Sequence, residues 1–125
     1  MVLVDTSVWI EYFKGNPRTK DIDKLIDENS ICMNHIILSE LRPVLISKQQ
    51  YELDDLLLYL PILPMNINWE DIVKLQCSNI YNGINDVGIS DLLILQNAIQ
   101  NKAKIWSLDN HFMRMSRIIQ FEMYD

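Results

Sequence analysis

The sequence has 125 residues, 49% of them hydrophobic, with a mean hydropathy of zero: enough for one domain, residues 1–125, with a proper core. No apolar run approaches the ~20 residues of a spanning helix, and the start lacks the basic segment and cleavage site of a signal peptide, so the expected partners include no membrane and the expected location is cytoplasmic. A net charge of −6, from 11 basic and 17 acidic residues, disfavours long-range attraction of nucleic acid. Net charge does not decide what a single cleft binds, however, and residues 102–117 carry Lys102, Lys104, Arg114 and Arg117 against one acid, Asp109.

Val2-Leu3-Val4 is apolar on consecutive residues, as in a short strand covered on both faces. The chain then breaks into Asp5-Thr6-Ser7, and Thr6 or Ser7 is the expected cap of a helix begun by Val8, Trp9, Tyr12 and Phe13. Asp5 falls at the carboxyl end of that strand, where open α/β sheets place their ligand crevices; read alone, it is also an acceptable helix cap. Lys14-Gly15-Asn16-Pro17 is a turn, Asp21 to Glu28 a short amphipathic helix, and Ile31-Cys32-Met33 a second strand. Asn34 starts a helix in which Ile36, Ile37, Leu41, Val44 and Leu45 recur at helical spacing. Glu40 interrupts that apolar pattern, and Pro43 predicts a kink or a late start.

Tyr51 to Leu60 forms a further helix, followed by an extended Pro61–Pro64 segment. Asn68 caps a helix from Trp69 to Tyr81 that Asn82-Gly83 ends. Ser90 is the expected N-cap of a helix Asp91 to Asn101 that buries Leu92, Leu95, Ala98 and Ile99 on one side. Ala103–Trp106 is a third strand, running into Ser107-Leu108-Asp109 as the first runs into Asp5. A helical turn over 110–115 and a last strand at Ile118–Phe121 complete the chain. Strands alternating with helices predict an α/β domain with a central, mostly parallel sheet flanked by helices. Cys32 and Cys77 belong to no metal or disulfide pattern and read as small buried hydrophobes; Trp9, Trp69 and Trp106 read as packing, and Met113 and Met115 as core filling.

Four carboxylates, Asp5, Glu40, Asp91 and Asp109, occupy positions that these elements make convergent. No matching set of buried basic residues exists; Arg42, two positions from Glu40, lies on another helix face. Like charges gathered in a cleft repel unless a cation sits among them, and hard oxygen ligands favour Mg²⁺ or Mn²⁺ over zinc. Such a site suits phosphoryl chemistry. A phosphatase using Asp5 as covalent nucleophile would need a second Asp two residues on, where the chain has Ser7.

Val-Asp-Thr-Ser-Val-Trp-Ile at 4–10, Leu-Ser-Glu-Leu at 38–41, Gly-Ile-Ser-Asp-Leu-Leu-Ile at 88–94 and Ser-Leu-Asp-Asn-His-Phe at 107–112 resemble, in order and spacing, the PIN domain, and within it the VapC toxins of prokaryotic toxin–antitoxin pairs. The resemblance runs over essentially the whole chain. It implies a PIN-like fold and a Mg²⁺- or Mn²⁺-dependent endoribonuclease, usually a homodimer, acting on RNA and silenced by a VapB-type antitoxin. It carries the acidic, metal-holding positions onto Asp5, Glu40, Asp91 and Asp109, and the supporting hydroxyls onto Thr6 or Ser7 and Ser107. One departure stands out: many members carry a further acid shortly after the last one, where this chain has Asn110 and His111, which bears on a second, weakly held metal. Lys102, Lys104, His111, Arg114 and Arg117 are the candidate RNA contacts near Asp109. The rival reading is a PIN-like protein-binding module without catalysis, against which the presence of all four carboxylates speaks.

Overall fold

The computed structural model describes residues 1–125. Its centre is β1 (Val2–Val4), every residue of which is buried. β1 lies between β2 (Ile31–Cys32) and β3 (Lys104–Trp106), and all three run parallel in the order β2-β1-β3. Val2 pairs with Ile31 and Lys104, and Val4 with Trp106. Single parallel bridges, Met33 to Ile62 and Ile105 to Met123, widen the sheet at both edges. Because the strands are parallel, their carboxyl ends share one rim: the Asp5 N–H donates to the Trp106 carbonyl at 2.9 Å, which sets Asp5 level with the start of the Ser107 turn.

Around the sheet lie α1 (Thr6–Phe13), α2 (Asp21–Asp27), α3 (His35–Ser47), α4 (Tyr51–Tyr59), α5 (Trp69–Tyr81), α6 (Ile89–Gln100) and α7 (Asn110–Met115). Leu3, Trp9, Ile37, Leu41, Leu92, Leu95 and Phe112 are wholly enclosed between these layers, each contributing roughly 1.5–3 kcal/mol by burial.

A row of amides fixes α3 and α6 to one another. Asn34 caps α3 by accepting from the Ile37 N–H (2.9 Å) and donates to Asn97 Oδ1 on α6 (3.0 Å). Asn97 in turn donates to the Pro64 carbonyl (2.9 Å). Gln96 exchanges hydrogen bonds with both the N–H and carbonyl of Asn68, and Gln100 donates to the Asn66 carbonyl. The extended 61–68 segment is thereby laced to α6.

Several expectations from sequence are corrected. Neither Thr6 nor Ser7 caps α1: Asp5 holds the cap position without a side-chain capping bond, and both hydroxyls turn to acids instead. Ser90 lies inside α6, which starts earlier behind Gly88; Gln76 donates to the Val87 carbonyl at 2.7 Å and fixes that entry. α3 runs through Pro43, tolerated because the Ser39 turn that loses its N–H partner is exposed. Residues 118–121 form no strand, and the last sheet contact comes at Met123. Trp69 is 60% exposed, Met113 47%, and Cys77 is exposed where Cys32 is buried. α6 is buried on all sides from Leu92 to Ala98, and it is Ile99 that reaches solvent.

Candidate metal centre

The carboxyl rim of the sheet gathers acids from four separate elements. Asp5, at the end of β1, is only 6% exposed. Ser7 and Ser107 each donate to its Oδ2 at 2.9 Å, whereas no hydrogen bond reaches Oδ1. Ser7 also accepts from the Leu108 N–H (3.0 Å), and Ser107 from the Asp109 N–H (3.0 Å). The two serines thus clamp the turn after β3 against the turn after β1. Thr6, one position on, donates to Glu40 Oε1 at 3.0 Å and joins α1 to α3.

Glu40 and Asp91 both have their carboxyls pushed above the ordinary range. For Glu40 the chief cause is partial desolvation, with the charges of Asp5 and Asp91 adding to it against the Thr6 hydrogen bond. For Asp91 it is again desolvation, with Asp5 and Asp109 adding against the His111 hydrogen bond. Each acid therefore feels its neighbours, as convergent like charges must.

Asp109 caps α7, accepting from the His111 N–H at 3.0 Å. The imidazole of His111 stands over the cluster, with Nδ1 at 2.9 Å from Asp91 Oδ2 and 3.5 Å from Asp109 Oδ2. Its Nε2 is 3.4 Å from Asp86 Oδ2, and Asp86 is gripped by the Arg114 guanidinium at 2.8 and 2.7 Å. Burial works against a charged ring, but the Asp91 hydrogen bond and the charges of Asp109, Asp91 and Asp86 outweigh it and hold the His111 pKa above its usual value. Arg114 holds Asp86 below the carboxylate range. Beside these residues opens a polar cleft of about 770 Å³, lined also by Met113 and Arg117.

The PIN domain family model matches residues 2–118. The chain belongs to the PIN domain family. Solved structures with the same fold include VapBC2 from Rickettsia felis bound to a DNA fragment from their promoter (23% identity, all of both chains covered, TM-score 0.74). VapBC-1 from nontypeable Haemophilus influenzae is similar at 20% identity over 100% of this chain and 98% of that one, with a TM-score of 0.75. FitAcB from Neisseria gonorrhoeae is similar at 22% identity over 98% and 97%, with a TM-score of 0.74. No curated protein matches the sequence.

In this PIN domain Asp5, Glu40, Asp91 and Asp109 lie on one rim, with Thr6, Ser7 and Ser107 hydrogen-bonded to them. The basic candidates divide. Lys104 opens β3 and donates its N–H to the Met1 carbonyl, at the amino end of the sheet, where its ammonium faces Glu122 at 4.0 Å. Lys102 precedes it, so the two lysines lie at the opposite end of β3 from Asp109, a correction to their grouping with it. Arg114 is committed to Asp86, which leaves Arg117 as the exposed, unpaired cation of the cleft. Sequence reasoning missed Asp86, because a loop acid in Asn85-Asp86-Val87-Gly88 has no pattern of its own. It also set His111 among possible RNA contacts rather than among the acids; the spacing Asp109-x-His111 at a helix start was the available signal.

Proposed function

We propose that this PIN domain is a Mg²⁺- or Mn²⁺-dependent endoribonuclease, the toxin of a type II toxin–antitoxin pair. The observation that carries the reading is the convergence of Asp5, Glu40, Asp91 and Asp109 without a neutralising lysine or arginine among them. The likeness in fold to VapBC and FitAB proteins supports the same reading. Cation binding fits the donor set: Asp91, Asp109 and His111 offer three donor atoms within 4.8 Å of one another, and Asp5 keeps one oxygen free of hydrogen bonds. Asp5, Glu40, Asp91 and Asp109 would hold the ion. When bound, such an ion supplies an acidified water and stabilises charge on a leaving oxygen.

The chain's own groups do the remaining work. Ser7 and Ser107 fix the Asp5 carboxylate by the same oxygen, so its other oxygen has a defined direction. Thr6 restrains Glu40 on the otherwise exposed side of α3. The polar cleft beside Asp109 admits a strand of phosphodiester, and Arg117 at its edge meets a phosphate as the acids could not.

A VapB-type antitoxin and a second copy of the chain are the expected partners, and the cytoplasm the expected location; no helix is long and apolar enough to cross a membrane. Exposed apolar residues on α3 and α4 (Val44, Ile46, Leu58) and on α5 (Trp69, Val73, Ile80) support such contacts. Purified protein should cut RNA with Mg²⁺ or Mn²⁺ and stop in excess EDTA; cleavage undiminished by chelation would remove the mechanism. Expression alone should arrest growth, and co-expression of a short neighbouring reading frame should relieve it. Binding of that partner without any cleavage of RNA would favour the non-catalytic module. Light scattering should report a dimer at micromolar concentration.

A further inference from the structure

We propose that His111 is itself a ligand of this centre, through Nδ1, and that it tilts the site toward Mn²⁺ over Mg²⁺. The inference rests on the metal-dependent reading above and concerns which ion the site takes.

Two independent features of the geometry carry it. The first is position: Nδ1 lies within reach of both Asp91 and Asp109, closer to Asp91 Oδ2 than most water-mediated contacts allow. The second is what holds the other side of the ring. A histidine that ligates a metal characteristically gives its remaining N–H to a carboxylate, which fixes the tautomer and the ring plane. Here Nε2 lies 3.4 Å from Asp86 Oδ2, an ion-pair contact and not a hydrogen bond, and Asp86 is itself held by both of its oxygens on Arg114. The loop bearing Asp86 is in turn pinned by Gln76 at the Val87 carbonyl. Arg114, Asp86 and His111 thus form an ordered series that ends with Nδ1 directed into the acids. A surface histidine serving only as a phosphate contact needs no such backing.

An imidazole nitrogen changes the preference of an otherwise all-oxygen site. Mg²⁺ is hard, keeps its waters and takes carboxylates, whereas transition ions accept imidazole readily.

The test is spectroscopic and needs no RNA. Mn²⁺ bound to the full chain should show ¹⁴N modulation in electron spin-echo experiments, and ¹⁵N-histidine labelling should alter it. His111→Asn should abolish the modulation and weaken Mn²⁺ binding by about tenfold or more, while Mg²⁺ affinity, read by competition, moves less than Mn²⁺ affinity. Absence of nitrogen coupling in the parent, failure to bind Mn²⁺, or equal loss of both ions in the variant would overturn the proposal. The labelled parent alone decides the ligand question if the variant does not fold. Nitrogen coupling in a protein that cuts no RNA would uphold His111 as ligand and sink the nuclease reading. RNA cleavage by a protein without that coupling would do the reverse.

Discussion

α6 carries two polar regions built on opposite rules. Its later half presents Gln96, Asn97 and Gln100, with Asn101 at its cap, neutral amides that find partners on Asn34 and on the 64–68 segment. Asn34 and Asn97 are 0% and 1% exposed, yet both ends of each amide are satisfied. Six positions before Asn97, at the other end of the helix, Asp91 faces three further acids and a single histidine. Neutral, fully paired groups cost little to bury, whereas like charges brought together raise the free energy of the fold. One half of the helix is organised for stability, and the other holds gathered charges against a single histidine.

The largest effect that sharpens this contrast is on catalysis. Asp91→Asn keeps the shape and removes one charge, so cleavage should fall by roughly 10²–10³, the usual cost of losing a charge-stabilising group at a reacting centre. The metal-free variant should nevertheless melt no lower than the parent and gain up to about 1 kcal/mol at neutral pH. Mg²⁺ or Mn²⁺ should stabilise the parent and do so much less for the variant. Melts of both proteins in EDTA and in metal measure this, and a variant melting well below the parent in EDTA would mean that Asp91 serves the fold.

Asn97→Leu probes the other half with the opposite pattern. It orphans the buried Asn34 amide and removes one of the two side-chain donors to the exposed Pro64 carbonyl, at a cost of about 1–3 kcal/mol. Denaturant titration should show that loss, while cleavage per folded molecule, read well below the melting transition, stays at the parent level. Lost cleavage with parental stability would break the contrast between the two regions.

The acid cluster should also leave its mark on stability against pH. The folded-state pKa values of Glu40 and Asp91 are raised, so the stability they contribute is full below the unfolded values of about 4 and is lost as pH climbs through the folded ones. His111, raised as well, acts in the same direction at higher pH: full below about 6.5 and lost as pH passes its folded value. Metal-free parent protein should therefore melt progressively lower from pH 4 upward, with a flatter profile in Asp91→Asn. A parental melting temperature that rises over this range contradicts the raised values.

The smallest effect separates the two ends of β3. Arg117→Ala should raise KM for RNA and leave kcat unchanged, whereas Lys104→Ala, at the amino end of the sheet, should move neither. Steady-state cleavage of one RNA by both variants is sufficient, and equal losses would return Lys104 to the RNA path.

Local grammar explains why so much was legible in advance. Apolar triplets specify β1 and β2 because a parallel strand is buried on both faces, β3 reads as Ile105-Trp106 behind an exposed Lys104, and Asn34 and Asn68 announce their helices because a cap acts within three residues. Asp5, Asp91 and Asp109 are readable as candidates for the same reason, since the end of a strand or the first turn of a helix is a local address, and Glu40 because a charge interrupts an apolar helical pattern. Where two local devices competed, packing chose. Thr6 and Ser7 could each cap α1, but the acids of the rim offer their hydroxyls a charged acceptor, and such bonds are stronger than a neutral cap. Trp69 and Cys77 follow a helical pattern, but no layer of this chain covers that face of α5.

The sequence by itself determined the alternation of strands and helices, the alignment of Asp5 and Asp109 at strand ends and the shortage of cations to neutralise them, because each depends on neighbours a few residues away. Only the tertiary structure decided that Arg114 pairs with Asp86, that Lys102 and Lys104 sit at the far end of the sheet, and that His111 turns inward among acids. It also joined Asn34 to Asn97 across 63 positions. Those choices follow from which side chains the packed helices bring within hydrogen-bond reach, and a short-range pattern holds no record of partners so distant along the chain.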